Sequence, residues 1–387
     1  MKDIFLERAS TLALNRVFGF EPEIGTSLIE QLGAASEVFA LGEKGLDEIF
    51  SAHSKYRGRL QMQMLDEACK ELQSLEARGV KFISKSESIY PQLLKECPDS
   101  PIGLYVKSSS SLEEVFGNDN VSVVGTRDIS PYGSEWCERI VRAISLCDNS
   151  PTIVSGLALG VDIKAHLSAL KCGIPTIAVL PTGIDEIYPY RHEAIAERIA
   201  NTPGCALITD FPPHTAPIAV NFLRRNRIIA GLSRATILVE SKKKGGGTMT
   251  ARLSTSYGRE LYCLPGRCDD EKSAGCNLLI REKLADIIDS EGSICEQLGL
   301  RGHSKAKCES ISQRLKKLHN GKADDLWLKL ELDIAEYVRR NRAVTIEEIA
   351  RKLGKKYEEV ASCVRMMEAN GIISIDLLQR CCICINF

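Results

Sequence analysis

From Val121 onward, short unbroken runs of β-branched and apolar residues alternate with longer segments whose apolar positions recur every three or four residues. The runs predict strands at 121–125, 152–156, 176–180, 205–209, 236–240, 260–264 and 285–289. Helical spacing fills the gaps at 134–146, 161–172, 191–200, 221–230, 248–257 and 276–284. The strand runs are continuously apolar rather than alternating, as strands covered on both faces are. Strand–helix alternation of this length implies right-handed crossovers and a doubly wound, mostly parallel α/β sheet.

The flanks read differently. Residues 5–18, 25–32, 33–41 and 46–50 carry helical patterning punctuated by glycine turns, and 66–78 forms a longer helix closed by Gly79. Small helices with tight turns suit a SAM or helix-hairpin-helix module over 1–80. A strand at 81–84 and one at 103–107, with prolines and Ser108 to Ser111 as turns, connect it to the sheet. The sheet domain is expected over 81–300, with its core at 121–290. Residues 301–325 are polar, basic and serine-rich, the composition of a flexible linker. In 326–387, apolar positions Trp327, Leu330, Ile334 and Val338 mark one helix and Val360, Val364 and Met367 another. A capping box runs from Thr345 to Glu348, and a strand at 372–375 follows Gly371, so this end reads as a winged helix.

Composition narrows the function classes. The 387 residues are 44% hydrophobic and 26% charged, and no apolar run approaches the ~20 residues of a membrane span. Residues 1–10 lack a signal-peptide core, so a cytoplasmic protein without membrane contact is expected. The fifteen cysteines are scattered rather than set in a short framework, as reduced thiols are. The one C-x-x-C, Cys381 to Cys384, has no second pair and reads as terminal strand rather than zinc site, and no metal is expected. A formal net charge of −1 hides a local excess: between Arg224 and Arg267 stand ten Lys or Arg against two acids, Glu240 and Glu260. That distribution fits a polyanion site or a solvated face.

Candidate chemistry gathers at the ends of the strands. Gly125-Thr126-Arg127 follows the first, and Ser155-Gly156-Leu-Ala-Leu-Gly160-Val-Asp162 follows the second. Glycine admits close backbone approach, helix-opening N–H groups favour an anion, and an arginine fork can hold phosphate at two points. Lys164 lies within the helix that follows. Three arginines of the segment Asn221-Phe222-Leu-Arg224-Arg225-Asn-Arg227 interleave with apolar residues and need anionic partners, either internal carboxylates or an external phosphate chain. Phe222 is either core or, at the helix start, a ring on which a base stacks. Lys242-Lys-Lys244-Gly-Gly-Gly-Thr248 offers a second glycine turn at a helix start, either a phosphate nest or a solvated loop.

These stretches resemble the bacterial DNA-processing protein A family (DprA, also called Smf). The likeness rests on Gly125-Thr126-Arg127, on 155–162 with Ala165-His166, on Ile187-Tyr188-Pro189, on Asn221-Phe222 with 225–233, and on Gly275-Cys-Asn277-Leu-Leu-Ile280, spanning roughly 90–289. It implies a Rossmann-like single-stranded DNA-binding protein, not an enzyme and without cofactor, that protects incoming DNA and loads the recombinase RecA in natural transformation. It implies a homodimer built through the Rossmann-like domain. DNA contacts are expected at Gly125, Thr126, Arg127, Ser155, Gly156, Gly160, Lys164, Asn221, Phe222, Arg224, Arg225, Arg227 and Lys244. Two stretches depart from the family pattern: Lys244-Gly-Gly-Gly-Thr-Met-Thr stands where Lys-Ser-Gly-Ser-Leu is usual, and Lys283-Leu284-Ala285 where Gly-Ala is usual.

Two rival functions are open. A nucleotide-processing hydrolase resembling the LOG-type phosphoribohydrolases needs a glutamate four positions after its loop glycine, where this chain has Ala251 after Gly247-Thr248-Met249-Thr250. Asp162 and His166, at i and i+4, form either an acid/base pair or a helix cap and a packed core histidine. A transcription regulator would act through the terminal winged helix, which carries Arg339, Arg340, Arg342, Arg351, Lys352, Lys355, Lys356 and Arg365 among glutamates. The dinucleotide fingerprint of an oxidoreductase is missing.

Overall fold

The computed structural model describes residues 4–51, 53–56, 58–300, 315, 325–341, 344–376 and 379–383. They fall into two compact units, Met1–Gly302 and His303–Phe387. The linker read at 301–325 lies almost wholly outside the described residues, as does Cys384 of the C-x-x-C.

The first unit is built on a nine-stranded sheet in the order β1-β2-β6-β5-β4-β3-β7-β8-β9. Its strands are β1 (Val80–Ser84), β2 (Gly103–Lys107), β3 (Asn120–Val124), β4 (Thr152–Ser155), β5 (Thr176–Val179), β6 (Ala206–Thr209), β7 (Ala235–Leu238), β8 (Glu260–Cys263) and β9 (Asp286–Ile287). From β6 to β9 every pairing is parallel. The chain winds from β3 outward through β4, β5 and β6, then returns to β7 beside β3 and winds the other way. Val121 pairs with Ala235 and Val124 with Leu238 at this reversal. The seven strands expected from patterning are therefore present, in a large mostly parallel sheet. Two antiparallel strands, β2 against β6 and β1 against β2, widen it at one edge.

The inner strands are buried along their whole length, as continuous apolar runs require. Two of the polar residues among them turn to backbone carbonyls: Ser122 Oγ donates to that of Ile229 at 2.7 Å, and Thr176 Oγ donates to that of Ile153 at 2.7 Å. The edge strand β9 shrinks to two exposed residues where five were expected, since Lys283 already turns through φ +56° and only β8 supplies a partner.

The amino-terminal helices α1 (Ile4–Phe18), α2 (Pro22–Leu32), α3 (Ala35–Ala40), α4 (Gly42–Ile49) and α5 (Met62–Ala77) share a core with the sheet. Leu12, Phe18 and Leu72 belong to one buried cluster with Phe82, Tyr105, Leu180 and Leu207. Next come α6 (Gln92–Lys95), α7 (Leu112–Phe116), α8 (Pro131–Ser145), α9 (Val161–Cys172), a 3₁₀ turn at Tyr190–His192, α10 (Glu193–Ala200), α11 (Ala219–Leu232), α12 (Gly246–Ser256), α13 (Ala274–Arg281) and α14 (Glu291–Gln297). Helices α7 and α14 were not among the expected helical segments. Each begins at a serine whose hydroxyl accepts from the backbone three residues on, Ser111 from Glu114 and Ser290 from Ser293.

The second unit contains α15 (Asp325–Arg340), α16 (Ile346–Leu353) and α17 (Tyr357–Ala369) beside a three-stranded antiparallel sheet. Its strands are β10 (Val344–Thr345), β11 (Ile373–Ile375) and β12 (Arg380–Ile383), with β12 in the middle. The capping box forms: Glu348 N–H donates to Thr345 Oγ at 3.3 Å, and Thr345 N–H to Glu348 Oε2 at 2.8 Å.

Candidate functional site

At the reversal between β3 and β7, two loops leave neighbouring strand ends and open a crevice, the place where open α/β sheets take ligands. After β3 the chain reaches Gly125, where an added Cβ would stand 2.5 Å from Val161 Cγ2 and 2.7 Å from the Glu240 carbonyl. After β7 it runs through Ser241 and three lysines to Gly245, the residue before α12. Gly247 lies so near the first loop that its Cβ would meet Gly125 Cα at 2.9 Å. Thr126 N–H donates to the Glu240 carbonyl at 2.7 Å, and Val161 N–H to the Thr126 carbonyl at 3.1 Å. The backbone of both loops is thereby fixed around a cavity of about 260 Å³.

The floor is one stripe of α11, Phe222, Arg225, Asn226 and Ile229, spaced i, i+3, i+4, i+7. The walls are Thr126, Arg127, Asp162, Ser241, Lys242 and the glycines 245–247. Arg127 is exposed, and its guanidinium carbon lies 4.8 Å from the half-buried Phe222 ring. Asn226 keeps only 9% of its surface and, among the described residues, its carboxamide has no hydrogen-bond partner. The first backbone N–H groups of α12 open onto the same space, where a helix start favours negative charge.

The three arginines of α11 take the internal alternative. Arg224 and Arg227 both bind Asp210, Nη2 to Oδ2 at 2.6 and 2.7 Å, with Asp210 itself 1% exposed. Arg224 also lies against the Phe20 and Phe211 rings, and Arg227 donates to the carbonyls of Asp99 and Gly19 at 2.5 and 3.5 Å. Arg225 is 3% exposed and donates through Nη1 to the Val179 carbonyl at 2.7 Å. Burial pulls its guanidinium down to about 10, with Asp162 opposing and Arg127 adding to the fall, so it stays charged at neutral pH. Burial likewise lifts the Asp162 carboxyl above its usual range, against the pull of Arg225 and the amides of Ala158 and Gly156.

The remaining expected residues divide in the same way. Gly125, Thr126, Arg127 and Phe222 line the cavity. Ser155 is fully buried, with its hydroxyl spent on the Val123 carbonyl at 2.7 Å. Gly156 makes room for Arg225, since a Cβ there would stand 1.6 Å from Nη1. Gly160, at φ +75°, lets the loop pass the Thr126 carbonyl, 2.2 Å from where its Cβ would be. Lys164 pairs with Glu138 at 2.6 Å, and Asn221 is buried with its amide donating to the Ala216 carbonyl at 3.3 Å. Ser155, Lys164, Asn221, Arg224, Arg225 and Arg227, expected as direct contacts, each have a polar group engaged internally, while Asn221 Oδ1 and the Nε atoms of Arg224, Arg225 and Arg227 are buried without a partner among the described residues.

The local excess of positive charge is mostly spoken for as well. Arg234, Arg252, Arg259, Arg267 and Lys242 face Asp119, Glu282, Glu96, Asp269 and Glu271. Among the described residues, Arg127, Lys243 and Lys244 are exposed at these loops without a carboxylate partner. Sequence reading did not single out Asn226, although the 222/225/226/229 spacing marks it as sharing a face with Phe222. Glu240 was counted only as a charge. It is buried, accepts from Ser130 N–H at 2.9 Å and from the Ser130 hydroxyl, and so anchors the start of α8. His166, fully buried with Nδ1 2.7 Å from Thr176 Oγ, is pushed down to about 3 by desolvation and is a neutral core residue.

The sequence profile of the family described as DNA recombination-mediator protein A matches residues 81–299, more than half of the chain. The chain belongs to that family. Protein Smf of Synechocystis sp. is 35% identical over 267 residues, 69% of this chain and 63% of that protein. The DNA processing protein DprA of Streptococcus pneumoniae is 36% identical over 204 residues, covering 52% of this chain and 70% of its own length. The chain thus spans less than two thirds of the Synechocystis relative. Its fold matches the X-ray structure of the S. pneumoniae DprA with a TM-score of 0.54 at 30% identity, over 64% of this chain and 85% of that one. It also matches the Helicobacter pylori DprA, a structure described for its single-stranded DNA binding mode, with a TM-score of 0.50 at 29% identity over 57% and 95%. Among the described residues no helix is long and apolar enough to cross a membrane.

Proposed function

We propose that this chain binds single-stranded DNA through the β3/β7 cavity, protects the strand and delivers it to RecA in recombination. The observation that carries the reading is the arrangement at the cavity rim: three exposed cations without carboxylate partners, Arg127, Lys243 and Lys244, beside the α12 start and the Phe222 ring. A strand backbone supplies regularly spaced phosphates for the cations and helix N–H groups, and an unpaired base supplies a face for the ring. Duplex DNA satisfies the cations but offers no free base. The fold-level likeness to the H. pylori protein, a structure described for its single-stranded DNA binding mode, supports the same choice.

Gly125, Thr126, Arg127, Phe222 and Lys244 make the direct contacts in this reading. Gly156, Gly160, Arg224, Arg225 and Arg227 hold the loops and α11 in place. The protein acts as a cytoplasmic homodimer, presenting two cavities to one strand for avidity. It works by binding rather than by catalysis: Ala251, fully buried, occupies the position where a LOG-type loop would place its glutamate. Residues 1–80 serve as a SAM-like helical module and 326–387 as a winged-helix docking module. In the latter, Arg351, Lys355 and Arg380 face Glu347, Glu359 and Asp376, pairings that favour docking over duplex reading.

The test is a competition titration of labelled oligo-dT against unlabelled strand and matching duplex, followed by RecA filament assembly on strands precoated with single-stranded-DNA-binding protein. Preference for the strand and faster filament assembly are expected. Equal competition by duplex would refute strand binding, and unchanged assembly would refute delivery to RecA.

A further inference from the structure

Phe222 does not stand alone beside the cavity. The Tyr188 ring meets it edge-on, with centroids 5.4 Å apart and planes at 76°. Tyr188 still keeps 42% of its surface exposed, and Tyr190, which opens the 3₁₀ turn, keeps 78%. Among the described residues the Tyr190 side chain has no ring contact or hydrogen bond, and the exposed Arg191 that follows it has no carboxylate partner. Two large rings are thus left open to solvent within two residues of each other, next to the ring that carries Arg127.

The segment that bears them is firmly held. Ile187 packs on the core cluster shared by the sheet and the first helices. His192, 6% exposed, donates from Nδ1 to the Leu157 carbonyl at 2.8 Å, which fastens the turn to the loop after β4. Asp185, a neighbouring carboxylate, is engaged by His214 at 3.0 Å and Arg78 at 3.6 Å. Rings on an anchored backbone lose little freedom when a flat partner covers them, since only two side-chain torsions need ordering.

We propose that Tyr188 and Tyr190 extend the stacking platform begun at Phe222, so that a strand held by its phosphate at Arg127 lays its next bases across residues 188–190. This rests on the strand-binding reading above and adds the direction in which the strand leaves the cavity. The steps agree in scale: Arg127 to Phe222 is 4.8 Å and Phe222 to Tyr188 is 5.4 Å, against about 3.4 Å per nucleotide in a stacked strand and more when it is extended. The platform is indifferent to sequence, because every base has a face to offer.

The experiment uses the full chain and a set of oligo-dT strands, each with one base removed to leave an abasic sugar, titrated by fluorescence anisotropy. Wild type, Tyr190→Ala, Tyr188→Ala, Tyr188→Phe and Arg127→Ala are compared. Loss of one stacked base corresponds to about 5- to 150-fold weaker binding. Tyr190→Ala is expected to weaken intact oligo-dT by that factor, yet to cost nothing further on the strand whose abasic position already weakens wild type. Tyr188→Phe should bind as wild type does, and Tyr188→Ala should not. Tyr190→Ala matching wild type on every strand, or losing equally on intact and abasic strands, overturns the platform while a weakened Arg127→Ala leaves the cavity reading standing. If Arg127→Ala is also unchanged, both readings fall.

Discussion

Arg127→Ala removes the one arginine at the cavity that is both exposed and without a carboxylate partner among the described residues. Its effect on strand binding can be estimated from what surrounds it. A charge-assisted hydrogen bond to phosphate contributes roughly 1.5–3 kcal/mol, and solvent exposure places this one in the lower half of that range. The guanidinium also lies over Phe222, but that contact is already present in the free protein and cancels from the binding difference. The phosphate contact alone predicts a 10- to 50-fold weaker association, uniform across base sequences because only backbone is touched. Anisotropy titrations of oligo-dT at two salt concentrations separate the components. One phosphate contact fewer should lower the slope of log K against log salt by about 0.7. Arg127→Lys should restore the slope but not the full affinity, since a point charge does not fork onto phosphate. Wild-type affinity and slope in Arg127→Ala would refute the placement of the strand at this cavity.

Three further predictions concern the scaffold beneath the cavity. Asp210→Ala leaves the buried Arg224 and Arg227 without their shared carboxylate and should cost about 3–5 kcal/mol, lowering the calorimetric melting temperature by roughly 10 °C; a shift within error would contradict the pairing. Gly156→Ala sets a methyl 1.6 Å from Arg225 Nη1 and must displace the guanidinium from the Val179 carbonyl, a loss of about 3 kcal/mol in urea denaturation, which a change under about 0.5 kcal/mol would disprove. His166 is held near 3 in the fold against 6.5 when unfolded, so only the unfolded chain takes up its proton as pH falls below 6.5. Stability should therefore drop by about 2 kcal/mol between pH 7 and 5, and His166→Gln should flatten that part of the profile; an equally steep profile in the variant would assign the loss elsewhere.

The sheet was legible because its information is local. The runs around Val123, Val154, Ile177 and Ile237 are apolar enough to be buried on both faces, and Gly125 and Gly156 mark where the first two end. The fate of the α11 arginines was not legible, because their acceptors lie far off in the chain: Asp210 is 14 and 17 positions away, and the Val179 carbonyl is 46. Periodicity shows that such a charge needs a partner without showing which. The antiparallel edge was hidden for a related reason: β1 and β2 read as connector strands, and their place beside β6 depends on a pairing across some hundred residues. Asn226 and Tyr190 escaped because what distinguishes them, a buried carboxamide and an exposed ring without partners, shows only in the fold.

The contacts around Asp210 also bear on where this molecule can be cut. The stretch that matches the family begins at residue 81, yet Asn15 donates to the Asp210 carbonyl at 2.8 Å, the Gly19 carbonyl accepts from Arg227, and Phe20 covers Arg224. Helix α11 thus works as a strut, with one end flooring the cavity and its middle bolted to the chain's opening turns. A fragment trimmed to the family's boundary would bare the aromatic pair Phe82 and Tyr105 and slacken the strut at the same stroke. The boundary that defines kinship therefore lies inside the set of contacts that hold the cavity's floor, three of which come from residues ahead of it.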